Sequence, residues 1–472
     1  MLTSLLTFAA ALLGWSGLLW FGIKPDLLRL PVPFLLALHL APPLLLSLTV
    51  WWRKRRAQRQ AEEAQRQQET QARQAREAEQ ANALLARQQE LEQRRFGCDC
   101  RFVAVTGLIE HEKTAAPELD DVLWATLTPE QATQDGATSD PLAALHAPLI
   151  EAFQALSAQC GASQNFPIYL APPADVAGEA LLQLVREAAG PGHRPITWLP
   201  GGLNDNERLI SLFEHQPDLP ACLVLALDSP HARRINADEE DEEWAPSSQA
   251  AAGQAVVLML LTHPQLGAML EQVEMLAQAP DADPYTPYWE RAELNPQQRR
   301  LVTIPLEQRM ELADMPVLAR LHRAAQASST EGRQSTLTLT KALLPSLEQA
   351  LINGRELDPM FEPAGPAPET STTSTAQAPA CRWLVHDAGL PPDNGTRLGA
   401  LGQALHAFEL DLCPIAEASN IVRQYGDTGT ARPFLISALG VIHASQTQGA
   451  ALCCEFGSEQ SAALYLARPL TS

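Results

Sequence analysis

Apolar and polar positions divide this chain into three stretches. Leu2 to Ile23 and Pro31 to Trp52 carry no formal charge and are rich in Leu, Ala, Phe and Trp, while Lys24, Asp26 and Arg29 mark a polar turn between them. At 1.5 Å per residue either run is long enough to cross the ~30 Å hydrocarbon layer. The second run ends in Trp51-Trp52 followed by Arg53-Lys54-Arg55-Arg56. Tryptophans suit the membrane interface, and a basic cluster stays in the cytoplasm. The pattern predicts a transmembrane hairpin over 1–52 with both ends inside. Pro42 and Pro43 leave a kinked or partly re-entrant second span as the alternative. A cleaved signal peptide fits poorly, because a second apolar run follows and there is no small-residue cleavage site.

From Ala57 to Arg95 the chain is almost all Gln, Glu, Arg and Ala, without Gly or Pro. These residues predict a helical stalk over 53–96. Its seam of Ala57, Ala61, Ala64, Ala72, Ala75 and Leu85 suits a solvated helix better than a self-pairing coiled coil, which stays the alternative.

Beyond Arg101 short apolar runs alternate with helix-period segments. Strands are expected at Phe102–Ile109, Pro167–Leu170, Ile196–Leu199, Cys222–Leu227, Ala255–Leu261 and Trp383–Val385. Helices are expected at Ala143–Ala158, at Gly178–Ala189, from an Asn204 or Asp205 cap to His215, near Met310–Arg323, and at Ala342–Ile352. Ser335–Thr340 alternates Thr and Leu and reads as a strand. The stretch 363–380, rich in Pro, Ala, Ser and Thr, reads as an exposed loop. Alternating strands and helices predict a layered α/β body. Near the C-terminus, Ser419 to Pro433 reads as a Gly-rich turn entering an apolar helix. Two short strands then meet at Phe456-Gly457.

Charge sharpens this picture. The formal net charge is −21, which argues against general nucleic-acid binding. The stalk carries 11 basic and 7 acidic side chains, so the acidic excess lies in the body. A basic segment beside a membrane and an acidic globule beyond it fit a cytoplasmic body beneath an anionic leaflet. Eight cysteines without a Cys-x-x-Cys pair or a Cys/His cluster read as reduced thiols, not as a disulfide framework or a zinc site.

The acidic run Asp238–Glu243 lacks the spaced ligands of a calcium loop. Gly201-Gly202 lacks the Lys and Ser/Thr of a phosphate loop and reads as a tight turn. His111, His146, His193, His231, His263 and His322 have no metal-site spacing. No cofactor and no metal are expected.

The order of motifs resembles the thiolase-like β-ketoacyl synthase family. Ser419 to Ala438 resembles its Ser-x-x-Lys-x-x-x-Gly-His-x-x-Gly segment, with Asp427 where the second catalytic His stands. Ser458-Glu459-Gln460 replaces the last residues of its closing Phe-Gly turn. Asp228-Ser229 and Gly253–Leu258 resemble its strand-ending turn and hairpin strand. His386, in His386-Asp387-Ala388-Gly389 followed by Asp393-Asn394-Gly395-Thr396, resembles its His-Gly-Thr-Gly-Thr loop. The turn that would hold the nucleophilic Cys reads Leu199 to Asp205, through Gly202 and Asn204, with neither Cys nor Ser.

The resemblance implies a five-layered αβαβα thiolase-like body, its first half over 97–280 and its second over 281–472. It also implies that Gly202, Asn204, His386 and Asp427 mark a remnant cleft. A ketosynthase needs a Cys thiolate and two His that stabilise an enolate oxygen, and Asp427 would repel that charge. The expected function is therefore a catalytically inactive, membrane-anchored scaffold or partner-binding subunit. The bacterial inner membrane is its expected place, and an envelope machine such as a type VI secretion system its expected setting. The alternative is an acyltransferase or acyl-carrier-binding subunit of fatty acid or polyketide synthesis. The resemblance further implies a homodimer, or a heterodimer with a thiolase-like protein.

Overall fold

In the computed structural model the described residues are 2–22, 31–135, 142–171, 178–190, 195–216, 219–229, 250–278, 296–328, 335–358, 380–389, 395–457 and 461–470. The polar turn at 24–29, the acidic run Asp238–Glu243, the loop 363–379, Asp393-Asn394 and Ser458–Gln460 lie outside them.

The chain divides into two compact units, 1–90 and 91–472. In the first, helix α1 (Leu2–Gly22) is followed by α2 (Val32–Arg94), so the second apolar run and the stalk form one continuous helix of 63 residues. Trp15 Nε1 donates to the Leu38 carbonyl at 2.8 Å. Arg55 and Arg56 lie over the rings of Trp51 and Trp52, one turn back, at 5.0 and 5.3 Å. By length and composition α2 can cross a membrane, whereas the apolar part of α1 spans Phe8–Phe21.

The second unit is a mixed α/β body on one 12-stranded sheet. Its strands are β1 (Gly97–Ile109), β2 (Val122–Leu127), β3 (Ile168–Ala171), β4 (Ile196–Trp198), β5 (Ala221–Asp228), β6 (Ala255–Thr262), β7 (Ala319–His322), β8 (Ala325–Ser328), β9 (Cys381–His386), β10 (Ala418–Asn420), β11 (Ala450–Phe456) and β12 (Ser461–Arg468). The helices are α3 (Pro129–Asp135), α4 (Ala143–Gln159), α5 (Gly178–Ala189), α6 (Asp205–His215), α7 (Leu266–Gln278), α8 (Pro296–Thr303), α9 (Leu306–Asp314), α10 (Thr336–Asn353), α11 (Gly395–Ala407), α12 (Ile421–Tyr425) and α13 (Arg432–Thr447).

The sheet path β10-β9-β11-β12-β7-β1-β6-β5-β3-β4 contains the same half twice. Counting β1, β3, β4, β5, β6 and then β7, β9, β10, β11, β12 as strands one to five, both halves run 3-2-4-5-1. In each, strand two lies parallel to its neighbours and strand five antiparallel to both of its own. Antiparallel pairing of β1 with β7 joins the halves.

Side-chain alternation then sets the layers. In β5, Cys222, Val224 and Ala226 face one core while Leu223, Leu225 and Leu227 face another. In β12, Tyr465 and Ala467 face the first of these cores while Leu464 and Leu466 face a third. The shared core encloses α6 and α13, the core beneath α4 and α5 covers the first half, and that beneath α10 and α11 covers the second. The result is five layers, helix–sheet–helix–sheet–helix, with buried strands that read as continuous apolar runs.

Two expectations are corrected. The helix expected near Met310–Arg323 stops at Asp314, because Pro316 disfavours helix in the residue before it and the Arg101 guanidinium takes the carbonyls of Leu312 and Met315. Ala319–His322 is instead β7. The strand expected at Ser335–Thr340 is the first turn of α10. Ser335 Oγ caps it by accepting from Thr338 N–H at 3.2 Å, and Leu339, Leu343, Leu347 and Leu351 recur every four residues on its buried face. Strands β2 and β8 and helices α7 and α11 carried no strong sequence signal.

Candidate functional site

The central helices begin at two irregular turns, with Gly202 and Asn204 at the first and Asp427 at the second. Asn204 holds an extended backbone and its Oδ1 accepts from Glu207 N–H at 2.7 Å, capping α6. Arg208, one turn into that helix, folds back over the preceding loop. It donates through Nε to the Pro200 carbonyl at 2.6 Å and through Nη2 to the Leu199 carbonyl at 2.9 Å, and it pairs with Asp205 at 2.5 Å. Gly202 permits this fold-back, since a Cβ there would come within 2.7 Å of Arg208 Cγ.

Gly202, Asn204, Asp205 and Arg208 line one side of a cavity of about 520 Å³, and Glu455 and Gln326 line the other. No cysteine lines it. Cys98, Cys100, Cys222, Cys453 and Cys454 are buried within strands, and burial pushes their thiols up, away from the reactive thiolate.

Asp427 sits at the other turn, before α13. Its backbone is held on both sides: its N–H donates to Ala251 O at 2.8 Å, and its carbonyl accepts from Gly253 N–H at 3.0 Å. A Cβ on Gly253 would overlap the Tyr425 carbonyl, so only glycine allows this approach. The Asp427 carboxylate accepts from Gly429 N–H at 3.0 Å and lies 3.6 Å from Arg432. Arg432 also lies 3.8 Å from the buried Asp387, whose Oδ1 accepts from Phe456 N–H at 2.7 Å. Arg432 thus links the turn at Asp427 to the strand-end residue Asp387.

His386 does not line the cavity. Along β9, Leu384 faces the core beneath α10 and α11 while Val385 faces the central core, and His386 follows Leu384. Both ring nitrogens are engaged. Ala388 N–H donates to Nδ1 at 3.2 Å, so Nε2 carries the proton and donates to the Pro414 carbonyl at 2.8 Å. Burial holds the ring neutral, its pKa lowered to about 4. A fully bonded imidazole on the outer face of its strand has no proton to offer a ligand in the cavity.

Sequence reasoning missed Glu455, Asp387 and Arg432. Glu455 faces inward from β11, and its Oε2 is buried. Burial raises its pKa to about 8, with Asp205 and Asp387 adding to the rise and Arg432 and Arg208 opposing it. At neutral pH Glu455 is thus largely a neutral carboxylic acid beside the N-terminus of α6. A carboxyl in the apolar run Ala450–Phe456 was the available signal. The described residues hold no group of three His, Cys, Asp or Glu side chains able to bind a metal. What the site offers is a capped helix start, a guanidinium tied to backbone, and carboxyl groups; among the described residues it offers no nucleophilic thiol and no histidine facing the cavity.

Residues 364–469 match a family model described as the C-terminal part of the type VI lipase adapter protein Tla3. Among solved structures, the chain is similar to the peroxisomal 3-ketoacyl-CoA thiolase of Saccharomyces cerevisiae, which is a five-layered structure of two core domains of identical topology. The identity is 10%, covering 80% of this chain and 99% of that one, with a TM-score of 0.40. Human mitochondrial 3-ketoacyl-CoA thiolase gives 8%, 80%, 100% and 0.43 in the same order. The ishigamide ketosynthase/chain length factor gives 14%, 62%, 61% and 0.33. The repeated strand order and the layering of this chain rest on its own pairing, not on these likenesses.

Proposed function

We propose that this chain is an adapter of a bacterial type VI secretion system: a thiolase-like scaffold that holds a protein client and performs no thioester condensation. The match of residues 364–469 to a lipase adapter carries the reading, and it makes a lipase the expected client. The geometry at α6 supports it. A condensing enzyme needs a thiolate at a helix start and donors for a developing oxyanion. Here the helix start presents Gly202-Leu203-Asn204, the Asn204 oxygen is committed to its cap, and no cysteine lines the cavity.

The N-terminal helices anchor this body in the inner membrane, with α1 and the first part of α2 as the two spans and Arg53–Arg56 on the cytoplasmic side. The body pairs with a second copy or with a thiolase-like protein. The test is genetic and quantitative. Deleting the chain should leave the type VI lipase inside the producing cell, and restoring the full chain should restore its export. Export that is unchanged by the deletion would refute the adapter role.

A further inference from the structure

Strand β2 is an anomaly in the duplicated sheet: it lies off the main strand path and, among the described residues, pairs with β1 alone. Asp121 and Leu127 direct their carbonyls to β1, accepting from Val103 N–H at 3.4 Å and Glu110 N–H at 2.9 Å. Alternation then turns the backbone groups of Trp124 and Thr126 to the outer edge. An edge of this kind is a template for another strand.

Beside it lies a groove of about 400 Å³, walled by Ala125 and Leu127 of β2 and by Ala143, Ala144, Ala147 and Pro148 of α4. Small side chains leave this groove open. The sequence around it is mostly acidic: between Phe102 and Gln159 it carries nine carboxylates and one lysine, Lys113, although Glu112 is paired with Arg423 at 2.7 Å. Asp120 and Asp121 precede β2, Glu130 follows it, and Glu151 lines the groove.

We propose that this edge receives an extended segment of a partner protein flanked by lysine or arginine. The segment adds to the sheet as a strand, seats small apolar side chains in the groove, and places its basic ends against the carboxylates. Main-chain bonds to Trp124 and Thr126 supply affinity, and the field selects the charge of the partner. This adds a place and a chemistry for partner binding to the adapter reading and does not depend on the client being a lipase.

The experiment uses the full chain in detergent micelles and a fluorescent peptide, Lys-Lys-Val-Ala-Val-Thr-Val-Lys-Lys, followed by anisotropy at fixed salt. Two control peptides carry Glu in place of Lys, or Pro in place of the central Val. The expected result is binding at least ten-fold tighter than either control, with the amides of Trp124 and Thr126 newly protected from hydrogen exchange. Thr126→Pro removes an outward donor, and Ala147→Phe fills the groove from an exposed helix position without touching the edge. Each should weaken binding at least ten-fold, and Ala147→Phe decides the matter if the proline variant fails to fold. Equal binding of the Pro-containing peptide would reduce the effect to charge alone and overturn the proposal. So would unchanged binding in Ala147→Phe, or a dimer of the chain that Thr126→Pro dissolves. Loss of peptide binding leaves lipase export as a separate result, so the two readings fail independently.

Discussion

Asp228, at the end of β5, accepts from the backbone N–H of Thr430 at 2.7 Å and from its hydroxyl at 3.2 Å, across 202 residues of sequence. This carboxylate from the first half orders the turn that starts the central helix of the second half. Asp228 is buried, so its loss would strand a donor away from water. Asp228→Ala should lower stability by about 2–3 kcal/mol, the range for breaking a charge-assisted bond and leaving its partner unpaired. Denaturant unfolding of the full chain in detergent, followed by tryptophan fluorescence, measures it. A change below about 0.5 kcal/mol would show that the turn is held by other contacts.

Glu455 makes stability depend on pH in an unusual direction. Its folded pKa of about 8 lies above the ordinary glutamate value of 4.5, so the folded state holds the proton more tightly. The contribution is fully present below pH 4.5 and is lost as pH rises through 8. Glu455→Gln should therefore match the wild type near pH 5 and exceed it at pH 8.5 by a few kcal/mol at most. Melting curves at the two pH values check this, and an equal difference at both would contradict it.

His386 works in the opposite sense. Its folded pKa of about 4 lies below the ordinary 6.5, so its contribution is present above pH 6.5 and is lost as pH falls toward 4. The loss runs at about 1.4 kcal/mol per pH unit in that window. His386→Asn keeps an acceptor for Ala388 N–H and abandons the Pro414 carbonyl, so it should cost about 1–3 kcal/mol at pH 7.5. It should also flatten the decline between pH 6.5 and 5, leaving His443, lowered to about 4, His322, lowered to about 3, and His263, also lowered, to supply what slope remains. An unchanged slope would place the acid sensitivity elsewhere.

The framework was legible where a pattern was long or a cap was present. The strands Cys222–Leu227 and Ala255–Leu261, the helix Gly178–Ala189 and the cap at Asn204 all follow from local chemistry. The first turn of α10 misled because Thr-Leu alternation imitates a strand, and only packing of its leucines every fourth residue decides for helix. The site was harder. His386 stands beside Asp387 in sequence, yet alternation along β9 sends the two to opposite faces, and only the inward one meets Arg432. Glu455 gains its character from Asp205 and Asp387, which no local window contains.

The most direct test of the adapter account is the mass of the purified full chain mixed with the purified type VI lipase, measured by light scattering at tens of micromolar in detergent. The account predicts one discrete species carrying both proteins, formed without any thioester substrate. Two species eluting at their separate masses would contradict it.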